Sequence, residues 1–448
     1  MSRHLFVDDE AIARKSGVGR RAHAAAKLDR PVIVGDQPWE REDGDRRVYV
    51  YGTVLGDDAG GYRMWYNHAP GHVLHATSGD GLHWEKPHLG LVEHDGSPDN
   101  NILPVRLHSP SVIHDPADPD PGARYKMLGC GLDGARGYRV AHSGDGKSWR
   151  FYDRNPVLAG SDTCTLAHDA KTASHLAFHK LTHEYRGHRR RLVYLAASAD
   201  MQRWTEPVLV MAPDEIDDEA VRAEGGICSQ FYNMSAFAYA DQWLGLVTHF
   251  RYARPTDGSG WKQSPHDGPI DVQLVHSRDG RKWNRCENRS PVIANGPHPY
   301  DAGCILGVAN APVISGDEMW IYYTAITTTH GGSLPVKEVT IARASWRIDG
   351  WVSLEAGSAG GVVETVPVHP DGEVLWLNAD AAGGDVRVEV LDGNGAGIPG
   401  YGASDCRSVH GDHPRTAVRW RDHETLPPAP IALRFHLQNA RIFSWWAS

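Results

Sequence analysis

The stretch Ser78-Gly79-Asp80-Gly81-Leu82-His83-Trp84 returns as Ser143-Gly144-Asp145-Gly146-Lys147-Ser148-Trp149 and again as Ser277-Arg278-Asp279-Gly280-Arg281-Lys282-Trp283. A variant without the glycine is Ser198-Ala199-Asp200-Met201-Gln202-Arg203-Trp204, and a degenerate copy is Ser345-Trp346-Arg347-Ile348-Asp349-Gly350-Trp351. The serines stand 65, 55, 79 and 68 residues apart, too irregular for a solenoid and right for propeller blades with variable loops. Five copies predict five blades. In each, the Asp side chain is expected to accept backbone N–H groups of the turn, Gly to take the φ > 0 position, and Trp to fill the space between blades.

Strand-like runs surround the motif. Val73-Leu74-His75-Ala76-Thr77 precedes the first copy and Val272-Gln273-Leu274-Val275-His276 precedes Ser277. Glycine (48) and proline (28) are abundant and long amphipathic helical patterns are scarce, so the chain of 448 residues reads as all-β. The predicted architecture is a five-bladed β-propeller over residues 1–355 followed by a β-sandwich over 356–448. Leu5-Phe6-Val7 is expected to complete the last blade and leave no open seam. In the sandwich, Gly383-Gly384 and Asp392-Gly393-Asn394-Gly395 read as hairpin connections.

Charge and cysteine usage narrow the functional classes. The formal net charge of −10 argues against nucleic acid as a partner. No segment is long and apolar enough for a membrane span, and the first residues lack a signal-peptide pattern. Six scattered cysteines without a CxxC pair suit buried thiols in the cytoplasm. No metal-ligand spacing and no cofactor motif stands out among the 26 histidines, so neither metal nor cofactor is expected.

Further stretches carry a resemblance: Leu5-Phe6-Val7-Asp8-Asp9, Met64-Trp65-Tyr66, Trp84-Glu85-Lys86-Pro87, Asp99-Asn100-Asn101-Ile102, His108-Ser109-Pro110-Ser111-Val112-Ile113, Asp349-Gly350-Trp351-Val352-Ser353-Leu354 and Leu377-Asn378-Ala379-Asp380. With these the chain resembles the propeller glycoside hydrolases of families 32, 43 and 68, most closely a family-32-like group. The resemblance implies carboxylates in an axial funnel near the starts of the innermost strands, acting on a sugar or sugar-like small molecule. Carried over residue by residue it offers Glu40 at the funnel rim, Asp162 before Thr163-Cys164-Thr165, and Asp301 in Tyr300-Asp301-Ala302-Gly303. His108-Ser109-Pro110 stands where the family has Arg-Asp-Pro, so the second-blade aspartate is missing, and blade 4 offers Gln230-Phe231-Tyr232.

Asp271 sits in a strand among apolar residues, where an unpaired carboxylate is costly, with Gln273 on the same face. Asp162, Asp271 and Asp301 are therefore expected to converge as the catalytic acids, with Glu40, and to raise one another's pKa. Trp39, His108, His179, Lys180, Arg189, Arg190, Tyr232 and Gln273 are the expected substrate contacts. The expected activity is of glycoside hydrolase type. The alternatives are a non-hydrolytic elimination, isomerisation or cyclisation on the same scaffold, and a non-catalytic glycan-binding propeller.

Overall fold

The computed structural model describes residues 3–57, 60–68, 71–134, 136–428 and 430–448. The chain is all-β, with one α-helix, Glu215–Ala223, and three short 3-10 turns among the described residues. From Val48 to Arg347 the main strands pair as successive antiparallel meanders. In the first, Val48–Tyr49 and Val54–Gly56 pair with Tyr62–His68, which pairs with His72–Ser78. The long strand Ile102–His114 serves two meanders: its front pairs with His72–Ser78 and its back with Tyr125–Gly131. Tyr138–Ser143 and Arg150–Phe151 complete the second.

The third meander runs Cys164–Asp169, Ser174–Tyr185, His188–Ser198 and Val208–Met211. The fourth is Cys228–Tyr239, Gln242–Tyr252 and Ile270–Ser277, with Pro291–Ile293 at its edge. In the fifth, Cys304–Val308 pairs with Glu318–Ile326 and then Val339–Arg347, to which Ala26–Lys27 is added.

Hydroxyl and amide groups stitch the first strand of each meander to that of the next. Thr53 Oγ1 donates to the Val112 carbonyl (2.6 Å), and Leu166 N to Ser111 Oγ (2.8 Å). Thr165 Oγ1 donates to the Met234 carbonyl (2.6 Å), and Ser235 Oγ to the Val308 carbonyl (2.8 Å). Asn310 N returns to the Gly52 carbonyl (2.9 Å), while its amide reaches the Val112 and Leu166 carbonyls, both at 3.0 Å. Two glycines permit this crowding: a Cβ at Gly52 would lie 1.7 Å from the Pro110 carbonyl oxygen, and one at Gly307 2.4 Å from the Tyr51 ring.

The repeated motif forms one turn four times. Asp80, Asp145, Asp200 and Asp279 each accept the backbone N–H groups two and three residues on, at 2.7–2.9 Å. Gly81, Gly146 and Gly280 have φ near +70°, and Met201 adopts the same left-handed conformation at 64°. The tryptophans pack in order against the preceding meander. Trp149 lies in the cluster of Trp65 from the first, Trp204 with Leu128 and Tyr138 of the second, and Trp283 edge-on to Phe178 of the third. Trp351 packs on Phe237 of the fourth, and Trp84 on Tyr322 of the fifth. Trp149 and Trp351 are buried; Trp84, Trp204 and Trp283 are half-buried.

The carboxy-terminal region forms a separate sheet system around its own apolar core, centred on Val386, Val388, Leu433, Phe435, Trp420 and Trp445. Its strand order differs from expectation in two ways. Arg3–Leu5 pairs with Ala440–Ala447, and Ile12–Ser16 and Gly19–Ala22 join the same system beside Gly361–Thr365 and Val352–Ala356. Leu5-Phe6-Val7 therefore does not complete the last meander; Ala26–Lys27 does. The physical reason is burial: Phe6 meets Phe435 edge-on at 6.1 Å in the carboxy-terminal core.

Gly383-Gly384 is also no hairpin. It lies inside one strand, Leu375–Asp392, whose front pairs with Ala440–Ala447 and whose back pairs with Ile431–Gln438. Gly384 is needed there because a Cβ would sit 1.8 Å from the Gln438 carbonyl oxygen. Asp349 joins the two regions. Its buried carboxylate accepts from Arg3 (2.9 Å), Tyr239 (2.7 Å) and Ser444 (2.6 Å).

Candidate active site

Asp162 stands at the start of the third meander's first strand, in a left-handed conformation (φ 84°) that turns its side chain toward neighbouring meanders. Its Oδ1 lies 3.2 Å from His108 Nε2 of the second meander, and its Oδ2 accepts from Tyr232 Oη of the fourth at 3.1 Å. Lys180 Nζ forms an ion pair with Oδ2 from the adjacent strand. Tyr49 and Tyr51 of the first meander present their rings to His108, at 6.3 and 5.3 Å. Four meanders thus meet at one carboxylate. Its side chain is 28 % exposed and that of His108 26 %, so solvent reaches the group at the floor of a recess.

Charge and aromatic surface dominate this recess. Lys180 lies 4.6 Å over the Tyr232 ring, and Arg191 lies 5.1 Å from the same ring and 5.3 Å from that of Phe250. His330, from the loop after the fifth meander's second strand, packs on Tyr232 and Phe250 at 5.3 and 5.0 Å. Burial alone would raise the pKa of Asp162, but the Lys180 ammonium and the His108 contact hold it well below the usual carboxylate range. Burial lowers the Lys180 ammonium, against the opposing pull of Asp162. An ionised acid beside a lysine of lowered basicity forms a base and a proton donor in one pair.

The other expected acids do not join Asp162; each is held in its own contact set. Glu40, expected at a funnel rim, is fully buried in the 3-10 turn Pro38–Glu40, where it accepts from Tyr66 Oη (2.7 Å) and Lys86 Nζ (2.6 Å). Asp301 repeats that arrangement in Pro299–Asp301, accepting from Tyr323 Oη (2.9 Å) and Lys27 Nζ (2.6 Å). Both are acid–tyrosine–lysine latches that fasten a turn to a meander's second strand. Asp271 faces Arg251 at 3.1 Å and His249 at 3.8 Å, on the third strand of the fourth meander. Its carboxyl is pushed up to about 6, chiefly by burial, with Glu224 adding to it and Arg251 opposing. The raised acid is thus chiefly a product of burial, and the one carboxylate that adds to it is Glu224, not Asp162 or Asp301.

The expected substrate contacts divide in the same way. His108, Lys180 and Tyr232 meet at Asp162. His179 does not, because strand alternation sends it to the opposite face from Lys180, where it is buried edge-on to Tyr138 (5.2 Å) and its imidazole is brought down to about 4 by burial. Arg190 is buried in a two-pronged ion pair with Asp218 (2.6 and 2.9 Å), and Arg189 is exposed at the outer end of its strand. Gln273 donates to His249 Nδ1 (3.0 Å) within the Asp271 cluster, and Trp39 donates to Asn101 Oδ1 (2.6 Å).

Sequence reasoning passed over Tyr49, Tyr51, Arg191 and His330. The signal for Arg191 was present in Arg189-Arg190-Arg191: alternation puts neighbours on opposite faces, so Arg190 pointing into the core directs Arg191 to the other side. His330 comes from an irregular loop and left no pattern.

A hollow of about 710 Å³ lies away from this chemistry, in the carboxy-terminal sheet system beside Arg21, Glu355, Asp380 and Arg441. No group of His, Cys, Asp and Glu side chains suited to a metal ion occurs among the described residues. All six cysteines are buried and unpaired. No helix is long and apolar enough to cross a membrane among the described residues.

No family model and no curated protein matches the chain. Among solved structures it is similar to an N-acetylgalactosamine deacetylase from F. plautii in complex with blood group B trisaccharide. The identity is 16 %, over 75 % of this chain and 97 % of that one, with a TM-score of 0.48. It is similar to the Bombyx mori GH32 beta-fructofuranosidase at 11 % identity, over 93 % of each chain, with a TM-score of 0.43. A third such structure is the alpha-L-arabinofuranosidase of Podospora anserina in complex with cellotriose, at 11 % identity over 73 % of this chain and 98 % of that one, with a TM-score of 0.44.

Proposed function

We propose that this chain is a cytoplasmic carbohydrate-active enzyme of glycoside hydrolase type, built as a five-bladed propeller with a carboxy-terminal β-sandwich, and that it works on a sugar or sugar-like substrate at Asp162. The propeller reading is supported by the circuit of first-strand hydrogen bonds, which returns from Asn310 to Gly52. The same order appears in the tryptophan contacts, which return from Trp84 to Tyr322. The six unpaired cysteines fit the cytoplasm.

One observation carries the site: a partly exposed carboxylate, paired with Lys180 and reached by His108 and Tyr232, where four meanders meet. Asp162 is ionised at neutral pH. In that state it takes a proton from a substrate or faces the positive charge of an oxocarbenium-like transition state. Lys180 supplies the proton to a leaving oxygen. Tyr49, Tyr51 and Tyr232 are buried rings that back His108 and Asp162 and fix where they point.

A second reading is favoured by the charge inventory of the recess. Hydrolysis by the paired-acid route uses two carboxyl groups roughly 5–10 Å apart, whereas the acids bordering Asp162 are tied to cations, Asp45 to Arg47 at 2.6 Å and Asp267 to Arg254 at 2.9 Å. One base and one ammonium donor suffice for elimination or isomerisation. Screening aryl glycosides and reducing saccharides separates the two readings, with Asp162→Asn as the control. Release of aryl alcohol that the variant loses supports hydrolysis. Rearranged or unsaturated product, again lost in the variant, supports the second reading. A variant that turns over its substrate like the parent overturns both, and binding without any turnover leaves a glycan-binding propeller.

A further inference from the structure

The acids bordering the recess are already matched. Asp162 is paired with Lys180, Asp45 with Arg47 (2.6 Å), and Asp267 with Arg254 (2.9 Å). Two cations remain. Arg191 donates to Gln230 Oε1 (2.7 Å) and lies over Tyr232 and Phe250, with no ion pair to an acid among the described residues. Lys337 is almost wholly buried and donates to the backbone carbonyl of His330 (2.8 Å), likewise without an acid. The two are linked through His330, whose carbonyl accepts from Lys337 and whose ring packs on the Tyr232 and Phe250 rings that Arg191 also approaches.

This surplus is local and runs against the molecule's overall charge of −10. Lys337 is withheld from water and Arg191 is half-buried; keeping a buried cation without a paired acid is costly, and an anion bound beside the two offsets that cost. A guanidinium on an aromatic shelf is suited to such a group, because its planar fork meets carboxylate, phosphate and sulfate oxygens in pairs. Lys337 also borders a hollow of about 280 Å³ whose wall carries Arg41, Arg46 and Arg47 against Asp36 and Glu338.

We propose that the substrate of this recess is an anionic saccharide, one bearing a carboxylate, phosphate or sulfate, and that Arg191, backed by Lys337, binds the anionic group while Asp162 and Lys180 face the reacting centre. The inference rests on reading the recess as a saccharide site. It adds the substrate's charge and the residues that select it.

Calorimetric titration of the full chain tests it with matched probes: glucuronate against glucose, galacturonate against galactose, glucose 6-phosphate and glucose 6-sulfate, and inorganic phosphate and sulfate alone. At least one anionic saccharide is expected to bind about tenfold or more tighter than its neutral partner, with a preference that shrinks as salt rises. Which anion wins separates the three chemistries. Arg191→Gln is expected to abolish the preference at an unchanged melting temperature, and Arg191→Lys to retain part of it. Asp162→Asn is expected to keep or strengthen the preference while losing turnover, so failure of the catalytic reading and failure of this one are told apart. Equal binding of charged and neutral probes, no binding of any anionic probe, or a preference untouched in Arg191→Gln overturns the proposal.

Discussion

At the residue scale, Asp162 and Asp271 are two carboxyls that their surroundings treat in opposite ways. Lys180 and His108 keep Asp162 ionised well into acid, so turnover that depends on its charge stays flat across mildly acidic pH and falls on the alkaline side as Lys180 loses its proton. Lys180→Met is expected to lower kcat by about 10²–10⁴-fold and to remove that alkaline limb, read from the pH dependence of initial rates. Asp271, with its carboxyl near 6, acts on stability instead. Its native state binds the proton more tightly than the unfolded chain does. Stability therefore falls as pH rises from the unfolded carboxylate range toward about 6 and is level above it. Urea midpoints at ~pH 4 and ~pH 7 are expected to show a drop on the order of 2 kcal/mol that disappears in Asp271→Asn. The sequence marked Asp271 as unusual because a carboxyl sat among apolar residues, and that was correct; its role was illegible, since burial and catalysis leave the same trace in one chain.

At the scale of elements, the seven-residue turn and the acid–tyrosine–lysine latch each recur, and recurrence identifies them as structure. The turn was legible to the level of single hydrogen bonds, because an Asp followed by Gly encodes its own local geometry. Gly146→Ala forces a side chain into a φ of +74° and places its Cβ 2.8 Å from the Trp65 ring; a loss of roughly 1–2 kcal/mol from backbone strain alone is expected, with the clash adding to it. Gly79→Ala, two residues before the equivalent glycine in the first copy, meets nothing within 4 Å and is expected to be silent in the same thermal melt. The latches were misread. Glu40 and Asp301 sit before first strands, where a family resemblance looks for acids, and only the coordinates reveal their tyrosine and lysine partners. Glu40→Gln is expected to cost about 2 kcal/mol of stability, because it removes one of the two carboxylates that hold Lys86, Asp36 remaining at 2.7 Å, while kcat at a permissive temperature stays within a few-fold of the parent. A loss of turnover without a loss of stability would restore Glu40 to the active site.

At the scale of the whole molecule, the meander order was readable because each unit is local in sequence, and what closes it was not. Pairings such as Arg3 with Trp446 span nearly the full chain and depend on which apolar surfaces meet, which no window of residues records. The same interlacing makes a cut near Gly357 more damaging than the loss of an appended domain. It strips Arg3–Leu5 and Ile12–Ser16 of their partners, removes Ala440–Ala447 from beside Val352–Ala356 and takes Ser444 from Asp349, so such a truncate is expected to aggregate where the full chain gives a cooperative melt. The union of the amino- and carboxy-terminal strands also sets a timetable for biosynthesis. During translation the segment carrying these strands emerges before its partners exist: Ala26–Lys27 waits for residues 344–345, and Arg3–Leu5 waits a further hundred residues. Until then its unpaired strand edges and Phe6 stand open to neighbouring nascent chains, so the yield of native protein in a cell should depend on elongation speed and chaperone supply far more than its equilibrium stability would suggest.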